Sequence, residues 1–178
     1  GLTAVGLRYI GSGSEERRKA AAEILSFLPG DESARSGLFE AYIENTENLG
    51  DCLAAQFRRT RDARFLEDLK VKLRRLQRAA AAAAGAESKT VDDKKRVSER
   101  DLVLLTIAAV EGMGGIGGEE AAKELGRLTY SEKDPAVLKA VARALEATRA
   151  KEAVDYLGRM ARLPGPFAIE AARALTRM

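Results

Sequence analysis

The sequence has no histidine and no tryptophan, and it has a single cysteine. Without histidine the chain cannot form a Ser-His-Asp or Cys-His catalytic group or an HExxH zinc site, and it lacks the commonest general base near neutral pH. One cysteine excludes an intramolecular disulfide and a multi-cysteine zinc site. Because Cys52 lies in the helical apolar segment DCLAAQF, we expect a small buried side chain there rather than a nucleophile.

Catalytic and metal-binding signatures that need no histidine are missing as well. The chain contains no G-x-x-x-x-G-K-[ST] phosphate loop, no G-x-S-x-G elbow, no S-x-x-K pair and no D-x-D-x-D-G calcium loop. Acidic residues number 27, but no spacing singles out a catalytic pair among them. We therefore expect no enzymatic activity, no cofactor and no metal site.

Long apolar runs are also absent. No run approaches the roughly 18 residues that a membrane-spanning helix needs, and the first residues do not form a signal-peptide pattern. The chain begins with Gly1 rather than Met, so we expect a trimmed or internal piece of a longer chain. The sequence does not identify the compartment, and the cytoplasm is only slightly favoured.

What the sequence does contain is helical periodicity along most of its length. Apolar residues recur at the spacing of one helix face, and no segment alternates apolar and polar residues for long. The dipeptides Asp134-Pro135 and Gly165-Pro166 are typical helix starts. The clearest stripe is formed by Leu66, Leu69, Leu73 and Leu76.

One glycine-rich segment allows two interpretations. In AAVEGMGGIGGEEAAKEL, residues Gly112, Gly114 and Gly117 have the G-x-G-x-x-G spacing of a dinucleotide-binding loop, and the apolar run LVLLTIAAV precedes them. That loop needs a strand before it and a second strand after the next helix. Because the alanine-rich helix PAVLKAVARAL follows instead, we favour a tight corner between two helices, in which the glycines let the chain turn.

Helical segments repeat along the chain. EEAAKELGRL at 119–128 matches KEAVDYLGRM at 151–160, with a shift of 32 residues, and AAAEILSFL at 20–28 has the same shape. Each of the first two is followed by a short corner, a proline and a second helix. A period of about 30 to 35 residues with two helices per unit predicts an all-α fold, an α-solenoid of helical hairpins.

The units resemble HEAT repeats of the short bacterial kind, called HEAT-like or PBS-lyase-type. The resemblance is closest over 119–148, weaker over 151–175, moderate over 1–49 and only in outline over 50–100. It implies one HEAT-like superhelical domain over 1–178, which we expect to be part of a longer chain. We expect a partial repeat at 1–11 and repeats at about 14–48, 50–85, 86–115, 117–149 and 151–178.

Two positions depart from the HEAT pattern. The arginine that usually follows the valine of the second helix is replaced by Leu138 in one unit and by Ile169 in the next. The sequence therefore does not predict the Asp–Arg ladder that joins the repeats of some HEAT proteins.

Charge is unevenly distributed. Residues 57–78 contain nine basic and three acidic residues, whereas the rest of the chain has a small acidic excess. Three interpretations stay open: a ridge that contacts phosphates, a solvated face, and internal pairing with an acidic ridge on the preceding second helix. The candidate basic ridge comprises Lys70, Lys72, Arg74, Arg75 and Arg78, and the candidate acidic ridge comprises Glu40, Glu44 and Glu47.

The polar segment 86–100 occupies the place of a first helix. It forms either a weak helix or a loop, and the capping-box pattern SERD at 98–101 predicts that the next helix starts near Glu99. At the other end of the chain, the apolar residues Phe167, Ile169 and Leu175 have no later helix in the sequence to cover them. This pattern predicts end-to-end self-association or a longer array.

Taken as a HEAT-like solenoid, the chain is expected to be a non-catalytic scaffold or adaptor whose partner is another protein. The alternative is a solenoid that binds nucleic acid or phosphate through the basic helix at 57–78.

Overall fold

The structure is a computed structural model that describes residues 1–28, 30–44, 52, 55–57, 61–85 and 99–178. Over these residues it contains α-helices, one short 3₁₀ helix at Ala63–Phe65 and no β-strand. The α-helices are α1 (Leu2–Ile10), α2 (Glu15–Ser26), α3 (Glu32–Glu44), α4 (Leu66–Gly85), α5 (Glu99–Ile116), α6 (Gly118–Ser131), α7 (Pro135–Thr148), α8 (Glu152–Arg162) and α9 (Pro166–Arg177). The predicted all-α fold is confirmed.

The helices stack in two rows. Helix α7 packs between α5 and α9 in one row, and α6 packs against α8 in the other. Short corners join α6 to α7 and α8 to α9, so each of these pairs is a hairpin. At the amino-terminal end α1, α2 and α3 pack on one another, and the buried hydroxyl of Tyr42 on α3 donates a hydrogen bond of 3.0 Å to the carbonyl of Leu105 on α5. Contacts between neighbouring hairpins are those of an α-solenoid.

The helix starts follow the sequence signals. Asp134 accepts hydrogen bonds from the backbone amides of Ala136 (2.7 Å) and Val137 (3.2 Å), and Pro135 occupies the first turn of α7. Helix α5 is described from Glu99 onward, and because the residues before it lie outside the described part, the start that the capping-box pattern predicts stays a prediction. The segment 86–98 lies outside the described residues, so the choice between a loop and a weak helix there stays open.

The glycine-rich segment is helical rather than a strand followed by a loop. The run LVLLTIAAV lies inside α5, which excludes the dinucleotide-binding interpretation. The role that we expected of the glycines is only partly correct. Gly117 and Gly118 make the corner with positive φ angles of 78° and 84°, whereas Gly112 and Gly114 lie within the helix.

Gly114 allows two neighbouring helices of the same row to approach closely. A methyl group built on Gly114 would lie 2.7 Å from the Cα atom and 2.9 Å from the carbonyl oxygen of Ala144 on α7. These distances are shorter than van der Waals contact, so only glycine fits between the two backbones. The glycine therefore sets the separation of two stacked helices.

Candidate interaction surface

The five residues of the candidate basic ridge lie on α4 but do not share one environment. Lys70 is only 7% exposed. Its Nζ atom donates hydrogen bonds to Oε1 of Glu120 on α6 (2.6 Å) and to Oε1 of Glu67 on α4 (2.7 Å). Burial alone would lower the pKa of Lys70, but these two carboxylates raise the pKa above its ordinary value. Lys70 is therefore paired inside the molecule, with one carboxylate on α6 and one on α4.

A second ion pair joins the same two helices. A guanidinium nitrogen of Arg74 lies 3.7 Å from Oε1 of Glu124, a largely buried carboxylate that also accepts a hydrogen bond of 2.7 Å from Arg127. The spacing of Lys70 and Arg74 on α4 therefore matches the spacing of their partners on α6, four residues in each case. Sequence reasoning missed these partners, although the carboxylates in EEAAKEL could have suggested them.

Of the three acidic-ridge side chains, the structure describes only that of Glu40. Glu40 is exposed on α3, and among the described residues it makes no ion pair with any of the five basic residues. The side chain of Glu44 and all of Glu47 lie outside the described part of the chain.

Lys72, Arg75 and Arg78 lie away from the contact with α6. The Nζ atom of Lys72 is 5.2 Å from the centre of the Tyr42 ring and 3.4 Å from the Tyr42 carbonyl oxygen, to which it donates a hydrogen bond. Burial, together with the charge of Arg75, lowers the pKa of Lys72. Arg75 and Arg78 are exposed and make no ion pair within the described residues.

A groove runs between α3 and α4 next to Lys72. Its volume is about 400 Å³. The apolar lining consists of Phe39, Phe65 and Val71, and the ring centres of the two phenylalanines are 4.7 Å apart. The polar lining includes Glu40, Asp68, Lys72 and Arg75. We refer to this feature as the α3–α4 groove.

Ion pairs also connect successive helices of the row that contains α5, α7 and α9. Arg143 lies 3.4 Å from Glu111, and Arg177 lies 3.4 Å from Glu146. These Glu–Arg pairs connect the helices although the usual ladder arginine is absent at Leu138 and Ile169. Because the arginines are exposed, each pair contributes only about 0–1 kcal/mol to stability.

Other kinds of site find little support in the described part of the molecule. There, no group of three or more acidic or cysteine side chains is arranged to hold a metal ion. No helix of this part is long and apolar enough to cross a membrane. Cys52 is half-buried against the apolar core.

The two stacked rows of helices, joined by short corners, define an α-solenoid repeat protein. Residues 99–176, from the first residue of α5 into α9, match the family model for HEAT repeats. This part of the chain therefore consists of HEAT repeats, as the pattern of its helices suggested. No curated protein and no solved structure matches the chain.

Proposed function

We propose that this chain is a non-catalytic scaffold or adaptor that binds another protein. HEAT repeats generally act as scaffolds for protein interactions. In this chain the missing histidine removes the commonest catalytic base, and the stacked helices expose ridges and grooves that suit a macromolecular partner.

The observation that carries the proposal is the internal pairing of the basic helix. The ammonium group of Lys70 is buried between two carboxylates, and the guanidinium group of Arg74 lies beside Glu124. Phosphate groups would have to displace these carboxylates before they could bind the two cations. The pairing therefore weakens the electrostatic attraction that dominates nucleic-acid binding.

Nucleic-acid or phosphate binding is the second candidate, and it now depends on fewer residues. Lys72, Arg75 and Arg78 remain on the part of α4 that does not face α6. The last two are exposed and make no ion pair in the described part of the chain. Of the five residues of the basic ridge, these three are the ones left for a phosphate-binding surface.

A salt series separates the two candidates. Fluorescence anisotropy of labelled single-stranded DNA, duplex DNA and RNA is measured with the purified chain from about 50 to about 200 mM salt. The scaffold proposal predicts no saturable binding at the lowest salt concentration. Two results together would overturn the proposal in favour of nucleic-acid binding. The logarithm of the binding constant would fall linearly with the logarithm of the salt concentration, and binding would be lost in the Arg75→Glu/Arg78→Glu variant.

Affinity capture followed by mass spectrometry tests protein binding directly. The chain is used as bait with and without nuclease treatment of the extract. We expect the captured proteins to be the same in both samples, because they contact the chain itself. Captured proteins that all disappear after nuclease treatment would show that nucleic acid bridges them.

End-to-end self-association and the repeat boundaries remain predictions. On α9, Ile169 is 62% exposed, whereas Phe167 and Leu175 are partly buried against the core. Sedimentation velocity over a range of concentrations tests self-association. An Ile169→Lys variant should sediment as the smaller species if this side chain contributes to the contact.

A further inference from the structure

We propose that the α3–α4 groove binds a short extended segment of a partner protein, in which one apolar side chain lies between a basic and an acidic residue. This inference rests on the proposed scaffold function, because it names the chemistry of the partner and the place where it binds. The apolar lining of the groove and the order of the charges along it both fit such a segment.

The apolar lining offers a place for one side chain. Phe39 and Phe65 line the groove and pack on the fully buried Phe57, with ring centres 4.7 to 6.3 Å apart. Val71 lines the groove on the α4 side, and 43% of its surface is exposed. The volume of about 400 Å³ lies in the lower part of the range for ligand pockets, about 300–1,000 Å³. A partner residue such as leucine would remove this apolar surface from water.

The charged residues of the groove are ordered along α4. Asp68, Lys72 and Arg75 follow at i, i+4 and i+7, so they share one face of the helix. With a rise of 1.5 Å per residue, Asp68 and Arg75 are separated by about 10 Å along the helix axis. Glu40 on α3 follows Phe39, whose ring contacts that of Phe65 one turn before Asp68. The groove thus has an acidic end and a basic end.

Three of these charges are available to a partner. Glu40, Asp68 and Arg75 make no ion pair within the described part of the chain. At the basic end, burial and the charge of Arg75 disfavour the protonated form of Lys72 and lower its pKa. A carboxylate of the partner bound to Arg75 would offset this repulsion, just as a cation would suit Glu40 and Asp68.

The length of the groove sets the spacing of the ligand residues. In an extended chain, alternate side chains point to the same side, and each residue advances by about 3.3 Å. A basic–x–apolar–x–acidic segment therefore presents three side chains to one face over about 13 Å. This span of about 13 Å is comparable to the distance of about 10 Å between Asp68 and Arg75 along the helix axis, because the charged side chains can reach across the difference.

The probe is a fluorescein-labelled peptide, Gly-Ser-Arg-Ser-Leu-Ser-Glu-Ser-Gly, titrated with the full chain. Binding is followed by anisotropy to about 2 mM protein, so that a Kd of about 1 mM is measurable. We expect saturable binding. Replacing the peptide leucine by glycine, or the peptide glutamate by lysine, should weaken binding by about tenfold, since an attraction is lost or replaced by a repulsion.

A charge swap tests the place and the orientation of binding. The Arg75→Glu variant should bind the glutamate peptide about tenfold more weakly and should regain affinity for the lysine peptide. The matched control is Arg78→Glu, which introduces the same charge one turn further along α4 and outside the groove. It should leave both affinities unchanged. Melting curves establish that both variants are folded.

Three results would overturn the inference: no saturable binding by the wild-type chain, equal loss in the two arginine variants, or equal binding of all three peptides. Any of these together with nuclease-resistant capture of protein partners would reject the groove and leave the scaffold function standing. Capture that depends on nucleic acid would reject the scaffold function whether or not the peptide binds.

Discussion

Adding a single methyl group at Gly114 tests the packing of the solenoid directly. In Gly114→Ala the new carbon would lie 2.7 Å from Cα, 2.8 Å from Cβ and 2.9 Å from the carbonyl oxygen of Ala144. Two of these atoms belong to the backbone of α7, so no side-chain rotation can relieve the contact. Helices α5 and α7 would have to move apart.

The expected effect is the difference of two opposing terms. Overpacking of a close-packed interior costs about 1–3 kcal/mol, whereas replacing glycine by alanine inside a helix stabilises it by about 0.5–1 kcal/mol. We expect a net loss of about 1–2 kcal/mol. For a domain of this size each kcal/mol corresponds to about 2–4 °C, so the melting temperature should fall by about 2–8 °C.

The assay is thermal unfolding followed by far-ultraviolet circular dichroism. The matched control is Gly158→Ala, because Gly158 also lies inside a helix, α8, and a methyl group there would meet no atom within 4 Å. The control should melt at a higher temperature than the wild type, by about 1–4 °C. If Gly114→Ala melted at or above the wild-type temperature, close approach of the two backbones could not be the reason for glycine at this position.

Three further predictions follow from single contacts. Asp134→Ala should lower the free energy of unfolding by about 0.5–2 kcal/mol in urea, since two amides of α7 lose their cap, whereas Asp134→Asn should retain most of it. Gly117→Ala should cost about 1–3 kcal/mol in the same assay because φ is 78° there, and a loss below the experimental error would contradict the strain. The hydrogen bond from Lys70 lowers the pKa of Glu120 below its ordinary 4.5. Wild type should therefore be more stable than Glu120→Gln near pH 7, and the difference should shrink as the pH falls through the pKa of Glu120. A difference in stability that does not depend on pH would refute the ion pair.

The raised pKa of Lys70 completes the expected pH window. A group whose pKa is raised on folding stabilises the folded state at every pH below its pKa in the unfolded chain. This contribution is lost as the pH rises through the pKa of the folded state. For Lys70 the ordinary value is 10.5. The contribution of the pair to stability is thus largest between the acid limb set by Glu120 and the alkaline limb set by Lys70.

Local patterns in the sequence were enough to predict the helices and the all-α fold class. Helical periodicity, the Asp134-Pro135 start and the repetition of EEAAKELGRL in KEAVDYLGRM are local signals, because a helix face and a cap involve residues within one or two turns of each other. The segment that follows the G-x-G-x-x-G spacing also has a helical pattern and no strand pattern. That local signal was enough to predict an all-α repeat rather than a dinucleotide-binding fold. Matching of residues 99–176 to HEAT repeats agrees with that prediction.

The roles of individual glycines and charges depend on how the helices pack together, which local patterns do not show. Glycine fits at position 114 because a methyl group there would lie 2.7 Å from the Cα atom of Ala144, which comes 30 residues later on another helix. The partner of Lys70 lies 50 residues away on α6. Sequence spacing shows which residues share a helix face, but the distance between two faces depends on how neighbouring hairpins stack. That stacking decided which cations of α4 are neutralised within the molecule and which face the groove.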